Sequence, residues 1–490
     1  MMRICIFAFL LCSSWGVNAQ VAQPVKQLLN KPAMKGATFS LIVKNVSTGE
    51  LLYSHDIHRE VTPASVLKTI TTATALEIMG ENYRFPTSLE YDGELKNGVL
   101  DGNLYILGSG DPTLGSAHFA PDKNAYTTNQ NTFIPQWISA LKEAGIQRIN
   151  GSVIADESIF DTEGLSSKAL YEDMGSYFAP GSYGLSVFDN QYRLYLQTGG
   201  VGSSPIITGS DPDVPSIYFH NYLTVAPVST DSSFILGAPL AIERYLYGVV
   251  PANKARYVLK GDIPDPALFL AQYLTGVLNS EDIVVEGQPS CYRMEVENGT
   301  WRDYGKQNLI TTYSPPLKDI VRVVNNASHN LFADALLKTI GLQYQPAKGE
   351  VISSYGRGIK MVRSYWKGKG LDISSLWMYD GCGLGATNKV SAAFMGDLLA
   401  YMATQSRVSK AFIHSLPQAG TEGTVRNFMK GSALQGKARL KSGGMSRVRC
   451  YAGYITKGDN QYAVAVFSNN YSCTMNTMTK DLERLLLSLF

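Results

Sequence analysis

The stretch "PASVLKTITTATALEIMG", residues 63–80, decides the reading of this chain. Its spacing predicts a helix. Thr62 is the expected N-cap, Pro63 suits the first helical position, and Gly80 suits the stop. Yet the helix carries Thr69, Thr71, Thr72 and Thr74. Threonine loses rotamer freedom in a helix, so propensity does not explain the choice. Burial and chemistry do: Ser65 and Lys68 stand at i and i+3 and share one face. A serine hydroxyl becomes a nucleophile when a neighbouring base takes its proton. A lysine serves as that base when burial depresses its pKa.

Outward from this helix, residues 37–56 read as two strands joined by a turn at Ser47-Thr48-Gly49. Residues 86–309 differ: they are rich in Gly, Tyr, Ser and Asp and broken into short β-like runs. Helical patterns return at 316–326, 329–341, 357–366 and 391–403. Two strands at 447–456 and 461–470, joined by the turn Lys457-Gly458-Asp459-Asn460, precede a final helix at 478–490. A sheet built from both ends of the chain with helices between is an α/β sandwich. The expected organisation is a discontinuous catalytic domain, 20–85 and 310–490, interrupted by a mostly-β insertion of one or two subdomains at 86–309.

The bulk numbers narrow the class. A chain of 490 residues exceeds one ordinary domain, and 45% hydrophobic with 17% charged residues fits a globular protein with a large core. A net charge of +2, with no basic stripe, gives no footprint for nucleic acid. Met1 to Arg3, the apolar run Ile4–Leu11, and Val17 and Ala19 before Gln20 read as a signal peptide cleaved after Ala19. That run is too short to span a bilayer, and no later run is long enough. The expected product is exported, without a transmembrane segment. Cys291, Cys382, Cys450 and Cys473 lack zinc-type pairs, and a Cys450–Cys473 disulfide suits an oxidising compartment. The six histidines offer no convincing metal-ligand set, and no cofactor is expected.

Two further short motifs join Ser65 and Lys68. Ser328-His329-Asn330 precedes an amphipathic helix: a second hydroxyl can relay a proton, and an amide can hold substrate or the lysine. His329 reads as a bystander. Lys441-Ser442-Gly443, followed by Gly444, enters a strand. Its lysine and hydroxyl can hold a carboxylate, Gly443 allows close backbone approach, and the N–H groups of Ser65 and Gly444 can form an oxyanion hole. Each motif alone is weak. S-x-x-K recurs at 364–367 and S-x-N at 468–470. Their order and local context give them weight.

With those residues in view, the chain resembles the penicillin-binding, active-site serine family, and most closely its class C low-molecular-mass D-alanyl-D-alanine carboxypeptidases/endopeptidases of the penicillin-binding protein 4 type. "LYILGSGDPTL" (104–114), "YFAPGSYGLSVFDN" (177–190), "YDGCGLGATNKVS" (379–391), "LPQAGTEGTVRNF" (416–428) and "GKARLKSGGMSRVRCYAGYI" (436–455) carry the resemblance beside the serine helix and the S-x-N stretch. It implies a transpeptidase-like fold, an antiparallel sheet with helices on both sides. It also implies an acyl-enzyme on Ser65 with Lys68 as base, Ser328 and Asn330 as relay and substrate holder, and Lys441 and Ser442 on the terminal carboxylate. Asp156, in "VIADESIF" (153–160), is its least direct transfer, as a substrate contact from the insertion. The partners implied are peptidoglycan stem peptides, with β-lactams as inhibitors.

The chain departs from that pattern in three places. Ser442 stands for the usual threonine, Cys382 for a serine, and "GLGATN" lacks an arginine often found there. Two other readings share the motifs: a β-lactamase, which differs by fast deacylation, and a non-catalytic wall or β-lactam sensor.

Overall fold

In the computed structural model, the described residues are 22–119, 133–303 and 305–490. The expected signal peptide lies outside them. Among the described residues no helix is long and apolar enough to cross a membrane.

Both ends of the chain meet in one antiparallel five-stranded sheet. Its strands are β1 (Thr38–Asn45), β2 (Leu51–His55), β3 (Ala438–Met445), β4 (Val448–Lys457) and β5 (Asn460–Asn469), in the spatial order β2-β1-β5-β4-β3. The 37–56 hairpin and the 447–470 hairpin are as the sequence predicts, and β3 is a hydrogen-bonded edge strand ending in the Lys441 motif. Along β4, Val448, Cys450, Ala452 and Tyr454 join the core beneath the helices, while Tyr451 and Ile455 join the core on the other face. Both faces are therefore buried, which explains why these strands read as continuous apolar runs.

One face is covered by six helices, including α1 (Lys68–Met79), α2 (Leu317–Ala327) and α3 (Asn330–Gly341). The other is covered by the helices Gln23–Leu29 and Met475–Leu489. The four threonines of α1 are fully buried and all satisfied. Thr69, Thr72 and Thr74 donate to the helical carbonyls of Val66, Lys68 and Ile70, each at 2.7 Å. Thr71 instead donates to Gly381 O at 2.7 Å, tying the helix to the 379–391 loop. A buried hydroxyl costs little when it bonds inside the helix.

The insertion has its own core and several small sheets. The largest has five strands in the order Ser290–Cys291, Val153–Asp156, Leu104–Leu107, Pro86–Tyr91 and Gln307–Tyr313. Its closing strand thus runs to Tyr313, past the expected boundary at 309. A second sheet has the order Ile206–Asp211, Gln191–Gln197 and Tyr257–Asp262, and its Gln191, Arg193 and Lys260 line an opening together with Ser328 and Asn330. The Cys450–Cys473 disulfide is overturned. Both are free thiols, because Cys450 points into the core beneath the helices while Cys473 packs against the core on the opposite face.

Candidate active site

Ser65 is not in an α-helix. It sits in a 3-10 turn, Ala64–Leu67, that runs directly into α1. In 3-10 geometry residues i and i+3 eclipse, which places the Lys68 amine over the serine more closely than an α-turn would. Thr62 is not the expected N-cap. Its N–H donates to Asn469 Oδ1 at 2.7 Å and its hydroxyl to Ala386 O at 3.3 Å, so it ties the turn to the end of β5 instead. Gly80, with φ of 82°, does close the helix. The turn is pressed from two sides. A Cβ on Gly383 would lie 2.0 Å from Ala64 O, and one on Gly443 would lie 2.6 Å from Pro63 O. From Val61 to Leu76 every residue is buried except Ser65.

Lys68 is fully buried with three partners: Ser65 Oγ at 3.0 Å, Asn330 Oδ1 at 2.6 Å and the Cys382 carbonyl at 2.6 Å. Burial lowers its pKa, against the opposing pull of Cys382, Asp334 and Asp380. In all three contacts the amine is placed as donor; on giving up a proton it would keep its bonds to the two carbonyl-type oxygens and turn a lone pair to the Ser65 hydroxyl. That is the arrangement of a general base.

The S-x-N loop is held from two sides. Ser328, in the left-handed region with φ of 60°, caps α2 and accepts from Lys441 Nζ at 2.9 Å. Asn330, the first residue of α3, donates from Nδ2 to Phe178 O of the insertion at 2.6 Å. His329, read from the sequence as a bystander to the chemistry, makes structural contacts. Its Nδ1 caps α3 by accepting from Phe332 N at 3.4 Å, and its Nε2 lies 3.5 Å from Asp189 Oδ1. Asp189 is the middle of three consecutive left-handed residues, Phe188, Asp189 and Asn190, pinned by the Asn190 amide. His118 joins this group, with ligand-type atoms of all three within 4.8 Å of one another. An Nδ1 that accepts leaves the proton of the neutral ring on Nε2, which suits a hydrogen bond to Asp189 rather than a metal.

Lys441 Nζ also donates to its neighbour's carbonyl, Ser442 O, at 2.7 Å. Burial holds its pKa well down, with Lys68 and Arg449 adding to the effect. Ser442 Oγ donates to Thr424 Oγ1 at 2.7 Å. On the open edge of β3, Leu440 N donates away from the sheet to Pro417 O. Strand alternation then turns the N–H groups of Ser442 and Gly444 the same way, toward the cleft. Behind Lys68, Asp380 accepts from the N–H groups of Gly383 and Gly385, each at 2.7 Å, and Asp334 accepts from Gly381 N at 2.7 Å. Burial, reinforced by Asp380, pushes the Asp334 carboxyl up to about 7.

Ser65, Lys68, Ser328, Asn330, Lys441, Ser442 and Gly443 are thus brought together. Asp156 is not: it is buried at the end of an insertion strand, 3.3 Å from Lys306, with no partner from the three motifs. The duplicate motifs fall away too. Ser364 and Lys367 are exposed on a helix, and Ser468 is buried against Met34. Sequence reasoning missed Thr424, the Cys382 carbonyl, the Asp334–Asp380 pair, Phe178 O and Asp189. The stretches carrying four of these five features stood out by their pattern, but a pattern does not say which atom a backbone carbonyl will face.

Two openings flank the Ser328 loop and share Ala327 as a wall. One, of about 650 Å3, is lined by Thr424 and Arg426. The other, of about 320 Å3, is lined by Ser328, Asn330 and, from the insertion, Tyr177, Asp189, Arg193 and Lys260.

Comparison with known proteins places this geometry. The model of the family described as "D-Ala-D-Ala carboxypeptidase 3 (S13) family" matches residues 21–486. A D-alanyl-D-alanine carboxypeptidase of Actinomadura sp. (strain R39) is 26% identical over 465 residues, covering 92% of this chain and 81% of that one. The D-alanyl-D-alanine carboxypeptidase DacB of Haemophilus influenzae is 25% identical over 490 residues, covering 97% and 93%. The crystal structure of penicillin binding protein 4 (dacB) from Haemophilus influenzae superposes with a TM-score of 0.78 at 22% identity, covering 95% of this chain and 98% of that one.

Proposed function

The chain belongs to the D-Ala-D-Ala carboxypeptidase 3 (S13) family and is a serine-type carboxypeptidase, and from that premise we propose that Ser65 carries the acyl group and that peptidoglycan stem peptides are the substrate. The observation that carries this reading is the Lys68 amine, buried and within 3.0 Å of Ser65 Oγ.

The steps follow from the atoms in place. Neutral Lys68 takes the Ser65 proton as Oγ attacks the carbonyl of the penultimate residue. The N–H groups of Ser65 and Gly444 receive the oxyanion, and preorganised donors of this kind supply about 3–4 kcal/mol each. Asn330 holds Lys68 in line and offers its amide edge to the substrate backbone. Lys441 and Ser442, with Thr424 behind the hydroxyl, bind the terminal carboxylate. Lys441 also fixes the Ser328 hydroxyl, which passes its proton to the departing amine as the C–N bond breaks and takes in its place the proton that Lys68 removed from Ser65, so that Lys68 is neutral again. Water then attacks the ester and restores Ser65. The same acylation explains inhibition by β-lactams, whose ring opens without releasing a group. Action on stem peptides requires export, in keeping with the N-terminal segment expected to be removed after Ala19.

The test is mass spectrometry of purified muropeptides before and after incubation. Loss of the terminal D-alanine from pentapeptides, and of D-alanyl cross-links from dimers, is the expected result. Unchanged muropeptides with a folded, penicillin-reactive protein would refute the substrate assignment.

A further inference from the structure

We infer that Asp380 is a positioning residue for the general base: it folds the turn that aims the Cys382 carbonyl at Lys68, and its buried negative charge sets the pH at which the Lys68 amine is free to take the Ser65 proton. The inference deepens the function proposed above and rests on its assignment of Lys68.

The turn is built around one carboxylate. Asp380 is 3% exposed, and both its oxygens are used. Oδ1 accepts from Gly383 N at 2.7 Å, and Oδ2 accepts from Gly385 N at 2.7 Å and from Asn388 Nδ2 at 3.0 Å. Asn388 closes the ring of contacts: it also donates to Gly385 O and accepts from Tyr379 N, each at 2.8 Å. A protonated acid turns one oxygen from acceptor to donor, so three N–H donors favour the charged form.

That turn bears on the serine helix at three points. Cys382 O accepts from Lys68 Nζ at 2.6 Å, and Gly381 O accepts from the Thr71 hydroxyl at 2.7 Å. Gly383, with φ of 80°, leaves no room for a Cβ beneath Ala64 O. The carbonyl that meets the base is thus set by a carboxylate that does not touch it.

The charged and titratable groups facing Lys68 come from three elements. The 379–391 loop brings Asp380 and the Cys382 thiol, α3 brings Asp334, and β3 brings Lys441. Tyr355 and Lys338 stand beyond Asp334. The Cys382 thiol carries no charge, because burial pushes its pKa up. One oxygen of each carboxyl and the Cys382 sulfur lie within 4.8 Å of one another, too close for both carboxyls to ionise easily. Burial raises Asp380, but its three donors and the Lys68 amine pull it back. Asp334, with Gly381 N as its backbone donor, takes the proton. Asp380 is then the one anion beside Lys68. It opposes the effect of burial and keeps the amine basic enough to accept a proton near neutral pH.

The experiment measures the rate of Ser65 labelling by a fluorescent penicillin from pH 5 to pH 9. Asp334→Asn is the background, because it removes the partner that would otherwise ionise once Asp380 is neutral. Adding Asp380→Asn takes away the remaining negative charge. The Lys68 pKa then falls, and the acid limb of the profile is expected to move about one pH unit or more toward acid. Its plateau is expected to drop as well, because the carbonyl is no longer held. An Asn amide also sets its own hydrogens against the turn's donors, so Asp380→Ser, which leaves space for water at those N–H groups, is measured beside it. Thermal melts identify the folded variants. An acid limb that stays in place in the folded variants, however far the plateau falls, would leave Asp380 a merely structural role and overturn the inference. Failure of the wild type to be labelled at Ser65 at any pH would overturn the underlying function instead.

Discussion

Gly443→Ala offers a direct measure of how the sheet sets the geometry of the serine. Gly443 on β3 lies against the turn that carries Ser65. An added Cβ would stand 2.6 Å from Pro63 O, 3.0 Å from Val66 N and 3.2 Å from Ser65 N. Ordinary contact needs about 3.5 Å, so strand and turn must part by roughly half an ångström to one ångström. All three obstacles are backbone atoms, so no side-chain rotation relieves them. The displacement falls on the Ser65 N–H and on Lys441 two residues upstream. A misplacement of about 1 Å costs on the order of 100-fold in rate. Overpacking of this kind costs about 1–3 kcal/mol, which a protein of this core size tolerates. The assay is the second-order rate of acylation by a fluorescent penicillin, alongside a thermal melt. Gly276→Ala, on an insertion helix where nothing lies within 4 Å of the new methyl, is the control and should acylate normally. A folded Gly443→Ala protein that acylates within about threefold of wild type, only a small part of the expected loss, would refute the reasoning.

Three other outcomes follow from the same coordinates. Asp334 has an unfolded carboxyl near 3.8 and a folded one raised to about 7, chiefly by burial. Its protonated form therefore stabilises the fold fully below pH 4, and that contribution is lost as pH rises through 7. Denaturant melts of Asp334→Asn should show a stability advantage over wild type that grows from pH 4 to pH 8 by at most about 4 kcal/mol; a constant difference would contradict this. Asn330→Ala removes an acceptor from Lys68 and the tie to Phe178, and should slow acylation by about 100-fold with little change in melting temperature. Thiol titration of the mature protein in denaturant, without reductant, should find all four thiols of Cys291, Cys382, Cys450 and Cys473; finding two would restore a disulfide.

Much of the fold is legible because its signals are local. The 37–56 hairpin announces itself by a Ser-Thr-Gly turn, and the end of α1 by Gly80. The start of α1 is not, because Thr62-Pro63 looks like a cap, whereas the chain needs a 3-10 turn there to eclipse Ser65 over Lys68. The sheet's period-two alternation is hidden because Tyr451 and Cys450 are both buried, on opposite faces. That burial also defeats the disulfide reading, since sequence separation says nothing of sheet face. The three motifs are legible because catalysis needs those side chains. Their supports are not. The Cys382 and Phe178 contacts are made by carbonyl oxygens, which any residue supplies. Asp189 meets His329 only because three left-handed residues turn it outward, and no composition predicts that strain.

The central claim concerns one bond, between Ser65 Oγ and a substrate carbonyl, formed with Lys68 as the base. Incubation with benzylpenicillin followed by intact-mass and peptide mapping tests it at the atom concerned. A single adduct of the mass of penicillin on the peptide containing Ser65, absent from folded Ser65→Ala and slowed severely in Lys68→Met, is the predicted result. An adduct on any other residue, or one that persists in Ser65→Ala, would contradict the account.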